Sequence, residues 1–151
     1  MNKPKIYLDN CCYNRPFDDL TIEKNWLESN AKMYIQSLIK YKSILLYYSF
    51  MSLVEIDDSP YEDRKAYILD FVEGNAVGFI GKKRLAEIES LAIEIIQTGI
   101  KKKDATHLSC SIIAKCDYFV TTDKRVINYK TDRIKIVNPI ELVKMWREID
   151  D

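Results

Sequence analysis

Glycine is scarce in this sequence: the chain has 151 residues, of which four are glycines, and they form no glycine-rich turn. The phosphate-binding turns of Rossmann and P-loop proteins need closely spaced glycines, because the backbone must approach the phosphates. The sequence therefore excludes both kinds of nucleotide site.

Histidine and paired cysteines are also scarce. The chain has one histidine, His107, and four cysteines, none of them in C-x-x-C spacing. A zinc site usually draws several Cys or His ligands from such pairs, so no zinc site is expected. No disulfide pattern is evident, and the first residues lead into a short apolar strand without a secretory segment. Both features are typical of a reduced, cytoplasmic protein.

Excess charge of either sign is absent, since 23 Lys and Arg balance 23 Asp and Glu. No overall field steers the chain toward a polyanion or a membrane surface. The longest apolar runs, such as 44–48, are far shorter than a membrane-spanning helix. The length and the 47% hydrophobic content predict one globular domain, 1–151.

What the sequence does contain is an alternation of short apolar runs with amphipathic segments. This alternation predicts parallel strands joined by right-handed helical crossovers, hence an α/β fold. We expect a three-layer α/β/α sandwich with a central, mainly parallel sheet of four to five strands. Strands are predicted at 5–9, 43–48, 118–120 and 134–137, with 77–80 ambiguous between a short extension and a loop. Helices are predicted at 21–41, from Ser49 through Glu55, and at 60–73, 81–98, 105–115, 124–129 and from Pro139 onward.

Acidic residues lie at or near the carboxyl ends of the predicted strands, where open α/β sheets bind ligands. Asp104 stands at a helix start that opens toward the same edge, and Glu55 lies about two turns into the helix after the second strand. We therefore expect four carboxylates to meet at this edge: Asp9, Glu55, Asp104 and Asp123.

Each of these acids has a simpler structural explanation when taken alone. Asp104 and Asp123 precede predicted helices, where aspartate is a common N-cap. Asp9 followed by Asn10 is also typical of an Asx-turn, and Glu55 of a solvated helix position. Their joint location favours a functional interpretation, because four unrelated caps need not share one edge of a sheet.

Clustered carboxylates raise one another's pKa, a cost that a divalent cation offsets. Oxygen ligands suit Mg²⁺, Mn²⁺ or Ca²⁺ rather than zinc. The sequence offers no convincing nucleophile–base pair, so a metal-activated water and a phosphodiester substrate are the natural expectation. Haloacid-dehalogenase phosphatases are excluded because they need Asp-x-Asp after the first strand, and Cys11 stands where the second Asp is required. The order of the acids does not fit a response-regulator receiver either.

Four short acidic motifs follow one another along the chain: Leu8-Asp9-Asn10, Glu55 after the second strand, Lys103-Asp104-Ala-Thr-His107-Leu108 and Asp117-Tyr-Phe-Val-Thr-Thr-Asp123. In order and spacing, over nearly the whole chain, they resemble the motifs of the PIN-domain family. The segment Asn138-Pro139-Ile-Glu-Leu142 resembles the family's usual ending. The segment 9–19, with the sequence DNCCYNRPFDD, further resembles one bacterial subgroup.

This resemblance implies a Mg²⁺- or Mn²⁺-dependent endoribonuclease, often the VapC-type toxin of a type II toxin–antitoxin pair. Such toxins act on RNA, are usually homodimeric and are inhibited by a small antitoxin protein. The resemblance makes the four acids metal ligands or supporters of ligands, with Asn10, Thr121 and Thr122 in support. Many such toxins have Thr or Ser and then Asn after the first Asp, whereas Asn10 and Cys11 follow here.

Basic residues near the predicted ligands are candidate phosphate contacts. Arg15 could equally brace its own loop by pairing with Asp18 or Asp19. His107 is expected to be a packed or hydrogen-bonded side chain rather than a ligand. Two other functions stay open: a non-catalytic PIN-fold module that binds RNA or protein, and a structure-specific DNA nuclease. The candidate substrate contacts are Arg15, Lys103, Lys124 and Arg125.

Overall fold

A computed structural model of the protein describes residues 3–13 and 23–150. Its strands are β1 (Lys5–Leu8), β2 (Leu45–Ser49), β3 (Gly78–Ile80), β4 (Tyr118–Val120) and β5 (Lys135–Val137). Its helices are α1 (Glu23–Lys40), α2 (Phe50–Asp57), α3 (Glu62–Asn75), α4 (Leu85–Ile96), α5 (Lys102–Ile113), α6 (Lys124–Ile127) and α7 (Pro139–Asp150). Within these ranges, no helix combines the length and apolar character needed to cross a membrane.

The five strands form one parallel sheet in the order β3-β2-β1-β4-β5. Alternate residues of a strand face opposite sides of a sheet. Ile6 and Leu8 of β1 therefore pack into the core shared with α1, α3 and α7, whereas Tyr7 packs into the opposite core with α4 and α5. Helices cover both faces, which confirms the predicted three-layer α/β/α sandwich.

Several predicted boundaries were wrong. The ambiguous segment 77–80 is the edge strand β3, which pairs with β2. Because the chain must leave that strand through a turn, α4 begins at Leu85 and not at Gly81. The helix predicted at 60–73 extends two residues further, so that Gly74 and Asn75 are the last residues of α3.

Gly78 of β3 lies against the ring of its cross-strand neighbour Tyr47, and a Cβ added there would come within 2.2 Å of that ring. We expect Gly78→Ala to lower the free energy of unfolding by about 1–3 kcal/mol, because the ring must move out of its packed position. Urea denaturation measures this change.

Gly74→Ala is the matched control, because a Cβ at that helical position meets nothing within 4 Å. It should instead raise stability by about 0.5–1 kcal/mol, as expected for glycine replaced inside a helix. Equal effects of the two substitutions would show that the Tyr47 ring does not restrict position 78.

Candidate metal centre

The site begins at the carboxyl end of β1, where Asp9 follows Leu8. The register aligns Leu8 with Val120 of β4, and the Asp9 amide donates to the Val120 carbonyl at 2.9 Å. Asp9 therefore lies beside Thr121, whose hydroxyl donates to Asp9 Oδ2 at 2.7 Å. The Asn10 amide donates to the other carboxylate oxygen at 2.8 Å. Two donors thus fix a nearly buried carboxylate in one orientation.

Thr121 also connects Asp9 to Asp123. The Thr121 hydroxyl accepts a hydrogen bond from the Asp123 amide at 3.1 Å, and this threonine is completely buried. Asp123 is the N-cap of α6, since its Oδ1 accepts from the Arg125 amide at 2.9 Å. The capping interpretation therefore holds for Asp123, but the cap hydrogen bond uses only one of its carboxylate oxygens.

Asp104 is not the N-cap that the sequence suggested. The N-cap of α5 is Lys101, and Asp104 lies inside the first turn. Among the residues that the structure describes, no hydrogen bond engages its half-buried carboxylate. Desolvation raises the pKa of Asp104 to about 6, with further contributions from Asp9 and Asp123 and a smaller one from Glu55. All four predicted acids thus interact electrostatically around Asp104.

Glu55 projects from α2, which begins directly after β2. Glu55 Oε1 lies 2.5 Å from His107 Nε2, and this imidazole is completely buried. His107 is hydrogen-bonded, as the sequence analysis expected. Ligand atoms of Asp9, Glu55 and His107 all lie within 4.8 Å of one another, and among the described residues this group does not include Asp104 or Asp123.

The other predicted supporting residues behave differently from each other. Asn10 lies in a 3-10 turn (Asn10–Tyr13), and its Oδ1 is buried without a hydrogen-bond partner in the described part of the chain. The Thr122 hydroxyl donates to Cys11 Sγ at 3.2 Å, so its observed contact is to a thiol rather than to the acids. All four cysteines are free.

Three of the four candidate substrate contacts, Lys103, Lys124 and Arg125, are exposed. Lys124 and Arg125 occupy the first turn of α6, directly after Asp123. Lys103 lies next to Asp104, with its ammonium 3.9 Å from a carboxylate oxygen of Asp58. Arg15, together with Asp18 and Asp19, falls outside the described residues.

The donor set fits a hard divalent cation. Carboxylate oxygens of Asp9 and Glu55 lie within 4.8 Å of each other, and Asp104 interacts electrostatically with both. The Asn10 Oδ1, which has no hydrogen-bond partner among the described residues, adds a neutral oxygen nearby in sequence. Oxygen atoms of this kind are the ligands of Mg²⁺ and Mn²⁺. Desolvation, followed by repulsion from the neighbouring acids, raises the pKa of Asp104, and a bound cation would relieve the repulsion.

Sequence reasoning missed Tyr7 and its partners. The Tyr7 hydroxyl lies 2.5 Å from His107 Nδ1, 2.6 Å from Ser49 Oγ and 3.1 Å from Ser52 Oγ. Burial raises the pKa of the Tyr7 phenol well above its usual value, so the phenol stays protonated. A signal was present: a tyrosine between two core residues of a buried strand needs a partner for its hydroxyl.

Three solved structures share the fold. The structure of VapBC2 from Rickettsia felis, bound to a DNA fragment from its promoter, contains a similar chain. The match has a TM-score of 0.58 and 17% sequence identity, over 89% of this chain and 98% of that chain. FitAcB from Neisseria gonorrhoeae matches with a TM-score of 0.53 and 16% sequence identity, over 89% of this chain and 97% of that chain. FitAB bound to the IR36 DNA fragment matches with a TM-score of 0.57 and 16% identity, over 89% of this chain and 95% of that chain. No family model and no curated protein matches the sequence. At these identities the likeness establishes the fold.

Proposed function

We propose that this chain is a Mg²⁺- or Mn²⁺-dependent endoribonuclease in which Asp9, Glu55, Asp104 and Asp123 hold the metal. The observation that supports the proposal is the close approach of Asp9 and Glu55, two acids from separate elements, next to Asp104, whose pKa is raised by burial and by Asp9, Asp123 and Glu55. Asp9 and Glu55 lie within ligand distance of each other, and Asp104 interacts electrostatically with the other three acids. The electrostatic cost of such a cluster is hard to explain without a cation.

When bound, a divalent cation supplies a nucleophilic water at neutral pH and stabilises charge on the phosphate. The chain's own residues orient the ligands and the strand. Thr121 holds Asp9 by a direct hydrogen bond and aligns the backbone of Asp123. The exposed cations beside the acids, Lys103, Lys124 and Arg125, are suited to contact phosphates of the RNA, and Arg15 is a further proposed contact. Such contacts make binding weaken as salt rises.

The proposal extends to a toxin of a type II toxin–antitoxin pair, acting in the cytoplasm as a homodimer and inhibited by a small antitoxin. The support is the resemblance of the motifs to VapC-type toxins, together with the shared fold of VapBC2 and FitAB. We also propose that residues 1–151 form a single domain.

The proposed homodimer can be tested by light scattering on purified protein, which should give twice the mass of one chain.

The decisive experiment incubates purified protein with labelled single-stranded RNA and a panel of DNA substrates, with Mn²⁺, with Mg²⁺ and with chelator. We expect RNA cleavage that depends on metal, stops with chelator and is lost in Asp9→Asn prepared in the same way. Intact RNA under permissive metal and pH would instead favour a non-catalytic module that binds RNA or protein. Selective cleavage of branched or flapped DNA would favour a structure-specific DNA nuclease.

A further inference from the structure

A continuous chain of buried hydrogen bonds leads from β2 to the proposed metal ligand Glu55. The hydroxyls of Ser49 and Ser52 lie 2.6 and 3.1 Å from the Tyr7 oxygen, Tyr7 lies 2.5 Å from His107 Nδ1, and His107 Nε2 lies 2.5 Å from Glu55 Oε1. Tyr7, Ser49, Ser52 and His107 are all completely buried. This series of hydrogen bonds therefore connects β1, α2 and α5 with the last residue of β2.

Packing leaves these groups little freedom to turn. The Tyr7 ring stacks on Phe119 with centroids 5.5 Å apart, and its edge contacts the His107 ring at the same separation. Ser49 is the N-cap of α2, and its amide donates to Ser52 Oγ at 3.1 Å. The helix that carries Glu55 is therefore anchored to the same serines that contact Tyr7.

The direction of these hydrogen bonds follows for the neutral imidazole. An ionised carboxylate only accepts, so His107 Nε2 must carry the hydrogen that it donates to Glu55. In a neutral imidazole Nδ1 then accepts, and its only partner among the described residues is the Tyr7 hydroxyl, which donates to it. The Tyr7 oxygen in turn accepts from serine hydroxyls. The neutral form of His107 is thus held as the Nε2–H tautomer.

Distances argue against His107 as a metal ligand. Ligand atoms at about 2.1 Å in an octahedral Mg²⁺ or Mn²⁺ site lie about 3 Å apart when they are neighbours. His107 Nε2 and Glu55 Oε1 are closer, at 2.5 Å. This separation fits a hydrogen bond between the two side chains better than two ligands of one cation.

We propose that Tyr7 and His107 are positioning residues, which orient the Glu55 carboxylate and leave its second oxygen for the divalent cation. This role deepens the proposed function and rests on it. Groups that hold a metal ligand through hydrogen bonds typically contribute 10–100-fold to metal affinity. Neither residue needs to touch the substrate.

Tyr7→Phe tests the role, because it removes one oxygen and keeps the stacked ring. Tyr13→Phe is a matched control: Tyr13 is just as buried, but in the described part of the chain its hydroxyl has no hydrogen-bond partner. Calorimetric titration with Mn²⁺ should show affinity about 10-fold weaker in Tyr7→Phe and within about twofold of wild type in Tyr13→Phe. His107→Gln, whose amide can still donate to Glu55, should retain more affinity than His107→Leu. Equal losses in the two tyrosine variants would overturn the proposal.

A second measurement does not depend on activity. His107 is the only histidine of the chain, so ¹⁵N NMR of the untagged protein reports its tautomer without assignment. We expect Nε2–H in the metal-free protein, retained when Mg²⁺ is added, and disturbed in Tyr7→Phe. Loss of the Nε2 hydrogen on adding Mg²⁺ would make His107 a ligand and overturn the positioning role.

The two proposals fail in different ways. Wild-type protein that binds Mn²⁺ but leaves RNA intact contradicts the nuclease alone, and the binding and NMR data still decide the role of Tyr7 and His107. Wild-type protein that binds no divalent metal contradicts both.

Discussion

Asp104→Asn should reduce metal-dependent RNA cleavage by more than about 100-fold, since even residues that only support a ligand contribute 10–100-fold. The same substitution should stabilise the metal-free protein. Its carboxylate is half-buried among Asp9, Asp123 and Glu55, and these surroundings raise its pKa from 3.8 to about 6. Cleavage assays measure the first effect, and thermal unfolding in chelator measures the second.

The sign of the stability change follows from the raised pKa of Asp104. An acid with a higher pKa in the folded state destabilises the fold once it ionises, so metal-free stability falls as the pH rises from about 4 through about 6. At pH 7 the neutral amide should recover about 1 kcal/mol, after discounting for the exposed half of the carboxyl, or about 2–4 °C in Tm. The variant should also lose this pH dependence.

Asp132→Asn is the control for both effects. Asp132 is exposed and precedes β5, so it lies at the edge of the sheet opposite to the acids. It should leave cleavage and unfolding near wild-type values. If Asp104→Asn lowered the metal-free Tm instead, the carboxylate would have a structural partner and the ligand assignment would lose its support.

Thr121→Val should weaken both the site and the fold. Thr121 is completely buried, donates to Asp9 Oδ2 and accepts from the Asp123 amide. Valine has the same shape without the hydroxyl, so a nearly buried carboxylate oxygen and an amide each lose a partner. We expect a loss of about 1–3 kcal/mol in unfolding free energy and a 10–100-fold loss in Mn²⁺ affinity. Urea denaturation and calorimetric titration measure the two.

The neighbouring residue offers a matched substitution. Thr122→Val removes a hydroxyl that donates only to Cys11 Sγ, a weak acceptor. Its effects on stability and Mn²⁺ affinity should be several-fold smaller. If Thr122→Val weakened Mn²⁺ binding as much as Thr121→Val, the bond from Thr121 to Asp9 would not be what orients the carboxylate.

The central strands could be predicted because apolar runs buried on both faces leave a strong pattern. The strand 118–120 was predicted with the observed bounds, and the strand at 5–9 ends one residue earlier than expected. The edge strand β3 was left ambiguous, since three residues that include Gly78 carry little pattern. The charged turn 82–84 continues a helical pattern, so the start of α4 was predicted too early.

The proximity of Asp9 and Glu55 could be predicted from topology, because the parallel strands β1 and β2 end at one edge. The environment of each acid could not. Asp104 sits inside the first turn of α5 because helix formation begins at Lys102, which no local motif revealed. The bond from His107 to Glu55 joins residues 52 positions apart, and only the packing of α5 against α2 creates it.

The hydrogen bond between Thr121 and Asp9 spans 112 residues, and the last proposed ligand, Asp123, stands two positions later. During synthesis Asp9, the first proposed ligand, leaves the ribosome long before its partners. Asp9 can be held in place only after β4 has been synthesised and has paired with β1. A nascent chain or a fragment that ends before residue 123 lacks the complete ligand set. Any activity of this site therefore arises only after residue 123 has been synthesised and has left the ribosome.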